Sequence, residues 1–138
     1  MLPQTFFIIK PDAVQRNLSG KILSLIEENG FTVTNLSMLT PQLSLIEAHY
    51  SEHNGKNFYK SLIGSMYTHT PIIVGTLTMK KKPKHVFPAF RKFMGHYQEP
   101  TAGTIRHLYM IDSMKNSIHG SADEIAARKE IDLWYKWF

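Results

Sequence analysis

A chain of 138 residues with 43% hydrophobic and 20% charged side chains has the material for one core, and the whole of 1–138 reads as a single domain. It contains no apolar run near the roughly 20 residues that cross a bilayer, and no Cys, which excludes disulfides and thiolate–metal sites. The net charge of +5 attracts polyanions as a class, from nucleic acid to phosphorylated metabolites, without choosing among them.

The first apolar burst, Phe6-Phe7-Ile8-Ile9, has no basic residue before it and ends at Lys10. That argues against a signal peptide and for a buried strand over residues 4–10, stopped by Pro11. Pro11-Asp12 reads as a loop or a first helical turn. Leu18, Ile22, Leu25 and Ile26 recur at helical spacing, with Ser19 as N-cap and Gly30 just past the end. Residues 31–40 alternate imperfectly, as in a half-buried strand. Leu43, Ile46 and Tyr50 share one face of a second helix, broken at Asn54-Gly55, and Phe58, Leu62 and Met66 form the face of another. Residues 71–79 read as a third strand. The run Lys80-Lys81-Lys82-Pro83-Lys84-His85 reads as a solvated turn, and Val86, Phe90 and Phe93 begin a helix that holds Pro88 in its first turn. Residues 95–103 read as a loop and 116–121 as a short fourth strand. A last helix over 122–134 carries Ser121 and Glu124 in the capping-box pattern.

The resulting order is β-α-β-α-α-β-α-β-α. Without one extra helix and the ends it reduces to β-α-β-β-α-β. The expected class is therefore α+β: a ferredoxin-like, four-stranded antiparallel sheet with covering helices. The closing Trp134-Tyr135-Lys136-Trp137-Phe138 is too aromatic for a solvated tail and is expected to pack on the domain or on a second subunit.

The chemistry concentrates in Asn116-Ser117-Ile118-His119-Gly120-Ser121, where one imidazole lies between an amide side chain and a glycine–serine pair. A neutral imidazole is a good nucleophile near pH 7 and forms covalent intermediates. Lys10, at the end of the first strand, should emerge at the sheet edge, and Arg91 and Arg106 lie near loop ends. Taken singly, each cation reads as surface decoration. Together with Asn116 and a Tyr they make a phosphate-binding set, because guanidinium forks match phosphate oxygens and an ammonium adds a point charge. No phosphate-binding Gly-x-x-x-x-Gly-Lys-Ser/Thr loop and no Gly-x-Gly-x-x-Gly occurs. His49 and His53 stand four apart but lack the adjacent Glu of a zinc-protease helix, so a metal enzyme lacks its ligand spacing.

Three segments resemble the nucleoside diphosphate kinase family over nearly the whole chain. Residues 5–16, Thr-Phe-Phe-Ile-Ile-Lys-Pro-Asp-Ala-Val-Gln-Arg, match its opening strand and Lys-Pro-Asp turn. Ala102-Gly103-Thr104-Ile105-Arg106 resembles its Pro-Gly-Thr-Ile-Arg segment. Asn116-Ser117-Ile118-His119-Gly120-Ser121 resembles its Asn-x-x-His-Gly-Ser signature, followed by Glu130-Ile131-Asp132-Leu133-Trp134 for Glu-Ile-x-Leu-Trp. Arg106 and His119 stand thirteen positions apart, as the family pattern asks.

The resemblance implies γ-phosphate transfer from a nucleoside triphosphate to a nucleoside diphosphate, ping-pong, through phospho-His119. It implies that Glu130 and Ser121 orient His119. Lys10 and Asn116 would hold ribose hydroxyls and nearby phosphate oxygens, Tyr50, Arg91 and Arg106 would hold phosphates, and Phe58 would stack on the base. Mg²⁺ would be bound through nucleotide phosphates rather than in a protein cage. It further implies a cytoplasmic homo-oligomer built from dimers, with no membrane partner and nucleic acid disfavoured. The short loop near Pro100 favours a dimer or tetramer over a hexamer. The competing class is a non-catalytic nucleotide- or nucleic-acid-binding protein on the same scaffold. Such a protein has no need of His119 together with Glu130. Four departures from the family pattern are expected to rim the nucleotide site and subunit contacts: Lys56 for Arg, Tyr97-Gln98 for Thr-Asn, His107-Leu108 for Gly-Asp, and His69-Thr70-Pro71 for Ser-Gly-Pro.

Overall fold

The computed structural model describes residues 2–136. The order is β1 (Thr5–Ile9), α1 (Pro11–Gln15), α2 (Ser19–Glu28), β2 (Phe31–Leu39), α3 (Leu43–His49), α4 (Tyr59–Met66), β3 (Ile72–Met79), α5 (Val86–Met94), α6 (Ile105–Tyr109), β4 (Ile118–Gly120) and α7 (Glu124–Tyr135). Single 3₁₀ turns lie at Ser51–His53 and Pro83–His85. The four strands form one antiparallel sheet in the order β2-β3-β1-β4, so the expected ferredoxin-like α+β architecture is the one found.

β1 is buried along its whole length because it lies inside the sheet and both faces are covered. Its side chains alternate between two cores, as a strand's period of two requires. Phe7 and Ile9 join Ile22 and Ile26 of α2 and Phe90 and Met94 of α5. Phe6 and Ile8 join Leu45 and Ile46 of α3, Met66 of α4 and Trp134 of α7. The continuous apolar reading of Phe6-Phe7-Ile8-Ile9 follows from this double burial. β2 is the opposite case. Its register shifts between Val33 and Asn35, which accounts for the imperfect alternation in its sequence and leaves Leu36 and Met38 exposed.

The helix ends depart from expectation at α2 and α7. Of the two readings of Pro11-Asp12 the first helical turn is the one found, as α1, and a further short helix, α6, follows the loop of residues 95–103. Pro11 starts α1 with a preset φ, and Thr104 caps α6 by accepting from the His107 amide. Leu18, not Ser19, is the N-cap of α2, with no side-chain cap bond, whereas Gly30 does follow the C-cap Asn29 with φ +89°. The final helix starts at Glu124, not Ala122, and its cap is Asp123, whose carboxylate accepts from the Ala126 amide at 2.8 Å. Ser121 therefore plays no part in capping, and no capping box forms. The lysines of residues 80–84 are exposed around the 3₁₀ turn that leads into α5, in agreement with a solvated turn. Trp134 is fully buried; Trp137 and Phe138 lie outside the described residues.

β1 pairs with β4 so that Ile8 faces His119 across the ladder, which puts His119 on the α3–α7 side of the sheet. Gly120 belongs to the strand rather than to a turn after it, and its missing side chain is what lets α5 approach: a Cβ there would lie 2.7 Å from the Met94 side chain and 2.9 Å from the Phe90 ring. Gly120→Ala should overpack this contact and destabilise the fold by about 1–3 kcal/mol, read as a lower urea midpoint at unchanged slope. Equilibrium urea unfolding followed by circular dichroism checks this.

Candidate active site

A cleft of about 1080 Å³ opens beside β4, between α3, α5 and the start of α7. His119 lines it. Its Nε2 lies 2.8 Å from Glu130 Oε1, and the same oxygen accepts from Ser121 Oγ at 2.8 Å. Burial raises the Glu130 carboxyl, but the neighbouring His119, its hydrogen bond and that of Ser121 outweigh burial and hold it below the usual carboxylate range. An ionised carboxylate only accepts, so the proton of the pair sits on His119 Nε2 and Nδ1 keeps its lone pair. Ser121 itself is buried behind this pair and also approaches the Phe6 carbonyl.

The cations come from three elements. Lys10 follows β1, which is an inner strand, so its ammonium does not emerge at a sheet edge as expected. The residue is only 3% exposed, and Nζ donates to the Met114 carbonyl at 2.6 Å and to Asn116 Oδ1 at 3.1 Å. The Met114 carbonyl is set by a turn in which Asp112 accepts from the amides of Met114 and Lys115. Asn116 is held in turn by its own donation to the Ser113 carbonyl. Desolvation brings the Lys10 pKa from 10.5 down to about 8. Arg106, on α6, donates to the carbonyls of Gly95 at 3.0 Å and Ile118 at 2.8 Å, and burial followed by repulsion from Arg91 lowers it to about 10. Arg91 stands in the last turn of α5 and makes a long 3.5 Å contact to the Gly120 carbonyl. Both guanidinium groups and the Lys10 ammonium face the cleft. Such a set suits an anion with several oxygens.

Tyr50 also lines the cleft, and burial raises its phenol well above the usual range, so it stays neutral. Phe58 sits at the mouth, just before α4 rather than on its face, and is 39% exposed with Lys56 Nζ 5.7 Å above its ring. The cleft thus gathers Lys10, Tyr50, Phe58, Arg91, Arg106, Asn116, His119 and Glu130 from a chain stretch of more than a hundred residues, with Ser121 directly behind. Of the four departures, Tyr97 and Gln98 line the cleft. His69, His107 and Lys56 do not.

Sequence reasoning missed His49. It was read only against His53, yet the fold sets it beside His119 and Glu130, with one ligand atom of each within 4.8 Å of the others. That trio has the spacing of a metal site but not the proton arrangement. Trp134 Nε1 donates to His49 Nδ1 at 2.9 Å, which leaves the His49 proton on Nε2, where a metal would need a lone pair. Nothing in the His49–His53 spacing signals this, because the partners lie on β4 and α7.

The fold and this site define a phosphoryl-transfer class of protein: a free imidazole nitrogen, oriented by a carboxylate, inside a cationic cleft with an aromatic mouth. The comparisons agree. The family described as nucleoside diphosphate kinase matches residues 3–137. A nucleoside diphosphate kinase of Haemophilus ducreyi is 40% identical over 98% of this chain and 96% of its own, and one of Staphylococcus saprophyticus is 41% identical over 98% and 89%. The crystal structure of an apo nucleoside diphosphate kinase from Encephalitozoon cuniculi superposes with a TM-score of 0.87 at 31% identity, covering 97% of this chain and 88% of that one. The chain belongs to the nucleoside diphosphate kinase family, enzymes that move the terminal phosphate of a nucleoside triphosphate to a nucleoside diphosphate.

Burial of Lys10 has a measurable signature. Its folded-state pKa is depressed, so between pH 8 and 10.5 the unfolded chain binds more protons and stability rises with pH. In urea unfolding at pH 8 and at pH 10, the wild type should gain stability relative to Lys10→Met across that window. A constant difference between the two proteins would place the Lys10 ammonium in water.

Proposed function

We propose that His119 Nδ1 is the nucleophile of a ping-pong reaction. The Nδ1–phosphorus bond forms as the bond from the γ-phosphorus to the bridging oxygen breaks, and the diphosphate leaves with that electron pair. A second nucleoside diphosphate then attacks the phosphorus through a terminal oxygen and restores the neutral imidazole. The observation that carries this reading is the 2.8 Å contact between His119 Nε2 and Glu130, which leaves Nδ1 unprotonated and gives the developing imidazolium a counter-charge. Lys10, Arg91 and Arg106 spread the charge on the transferring group, with Tyr50 and Asn116 beside them, and Ser121 braces Glu130. Phe58 takes the face of the base. Stacking reads no hydrogen-bond pattern, so base choice is broad.

Mg²⁺ fits this site as a nucleotide-bound ion. The cleft's cations suit phosphate, and its central carboxylate, Glu130, is already committed to His119 and Ser121. When bound through the nucleotide phosphates, the ion supplies charge neutralisation and alignment of the phosphate chain.

We also read the protein as a dimer-based homo-oligomer of the cytoplasm. Among the described residues no helix is long and apolar enough to cross a membrane. Among those residues the outer strand β2 pairs only with β3 and exposes Leu36 at 51% and Met38 at 59%, an apolar edge that a second copy would cover. The exposed lysines of residues 80–84 do not line the cleft, so nucleic acid is not the partner that the site selects.

The chemical step is tested by incubation with ATP and Mg²⁺ without acceptor. A phosphoenzyme should remain, acid-labile and base-stable. His119→Ala should lose both label and turnover, while His69→Ala and His107→Ala keep both. A label that survives His119→Ala, or full turnover without any phosphoenzyme, overturns the mechanism. Phe58→Ala should weaken nucleotide binding by roughly 1–3 kcal/mol in calorimetric titration. Light scattering should give a dimer or larger for the wild type, and Leu36→Lys with Met38→Lys should shift it towards monomer.

A further inference from the structure

His49 ends α3 with its ring enclosed by aromatic groups. Its centroid lies 4.7 Å from that of His119, with the rings at 78°, and 4.6 Å from that of Tyr50, with the rings at 88°. Trp134, fully buried and stacked on Phe6 at 5.9 Å, gives it an indole N–H at 2.9 Å. An indole nitrogen can only donate, so His49 Nδ1 must accept, and the proton of the neutral ring has one place left, Nε2. Protonating Nδ1 as well would point two N–H groups at each other. The charged and titratable groups around His49 are His119 on β4, Glu130 on α7, Lys10 after β1 and His53 in the following turn. Burial first, then repulsion from His119, brings its pKa down to about 3.

We propose that His49 is a positioning residue for the nucleophile: an imidazole kept neutral in its Nε2–H tautomer by Trp134, set edge to face against His119 so that the His119 ring stays turned with Nε2 on Glu130 and Nδ1 towards the cleft. The inference rests on the reading of His119 as nucleophile. Two physical consequences follow. A neutral His49 brings no full charge to compete for Glu130, whose Oε1 accepts from His119 and Ser121. Tight packing at the ring face denies His119 the rotation that would exchange its two nitrogens. Phe6, 6.2 Å from His119 between centroids, closes the same side.

Nitrogen-15 NMR of the histidine-labelled whole protein, with and without ATP and Mg²⁺, reads the tautomer directly. His49 should show a protonated Nε2 and an unprotonated Nδ1 unchanged from pH 5 to pH 8, before and after phosphorylation. Trp134→Phe should release it to titrate or change tautomer. His49→Phe with Trp134→Phe removes both partners of the hydrogen bond, so no buried donor is stranded, and circular dichroism with the unchanged His119–Glu130 nitrogen-15 signature establishes that α7 keeps its place. That double variant should bind ATP as the wild type does but form phosphoenzyme about ten- to a hundredfold more slowly, the scale of misorientation at a reacting group. His49 titrating between pH 5 and 8 in the wild type overturns the proposal, as does a folded double variant that phosphorylates at the wild-type rate. A wild type that forms no phosphoenzyme refutes the nucleophile itself, and the unchanged His49 tautomer would separate that failure from this one.

Discussion

One carboxylate oxygen, Glu130 Oε1, accepts from both His119 Nε2 and Ser121 Oγ, and the arrangement of the active cleft depends on it. The constraint is geometric before it is electrostatic. β4 contributes His119 and the residue just beyond it contributes Ser121, so α7 must lie across that face of the sheet for Glu130 to meet both. Trp134 fixes the helix there. It is one helical turn beyond Glu130, on the same side, and its indole fills the core of Phe6, Ile8 and Ile46. The polar contact and the apolar anchor thus belong to one turn of helix. A shift of α7 would cost core burial as well as the hydrogen bond.

The opposite wall of the cleft obeys a related rule. Lys10 and Arg106 are buried cations, and among the described residues each is held by backbone carbonyls or an amide rather than by a carboxylate partner within bonding distance. Carbonyl dipoles fix where the charge sits without neutralising it. The depressed pKa values of both groups reflect that remaining deficit. A site built this way is preorganised for an anion, because the desolvation has already been met on folding and the donors are already held in place. The departures from the family pattern leave this wall untouched. Tyr97 and Gln98 lie on the cleft lining, Lys56 sits over Phe58 at its mouth, and His69 and His107 lie off the cleft.

Much of this was legible along the chain. Doubly buried β1 is written as an unbroken apolar run, α2 and α5 as helical spacing, and the bulge of β2 as a fault in its alternation. The order of those elements is enough for the ferredoxin-like sheet. The segments around Lys10, Arg106, His119 and Glu130 carried the resemblance to the kinase family, because the residue types that hold phosphate and make a nucleophile are few and their spacing is strict. Local chemistry was misread where two neighbours compete for one role. Ser121 and Asp123 both suit a helix cap; Asp123 takes it, and the Ser121 hydroxyl is then available to Glu130.

What the sequence determined by itself is whatever depends on a short window: periodicity, the identity of the elements, and the motif residues. The tertiary structure decided which residues meet. Burial of Lys10 follows from the place of β1 inside the sheet, and the contact of His49 with Trp134 joins α3 to α7 across 85 positions. Neither is encoded in the neighbours of those residues. Burial, proton placement and ring orientation are properties of the packed interior, and they take their values only when elements distant in sequence close on one another.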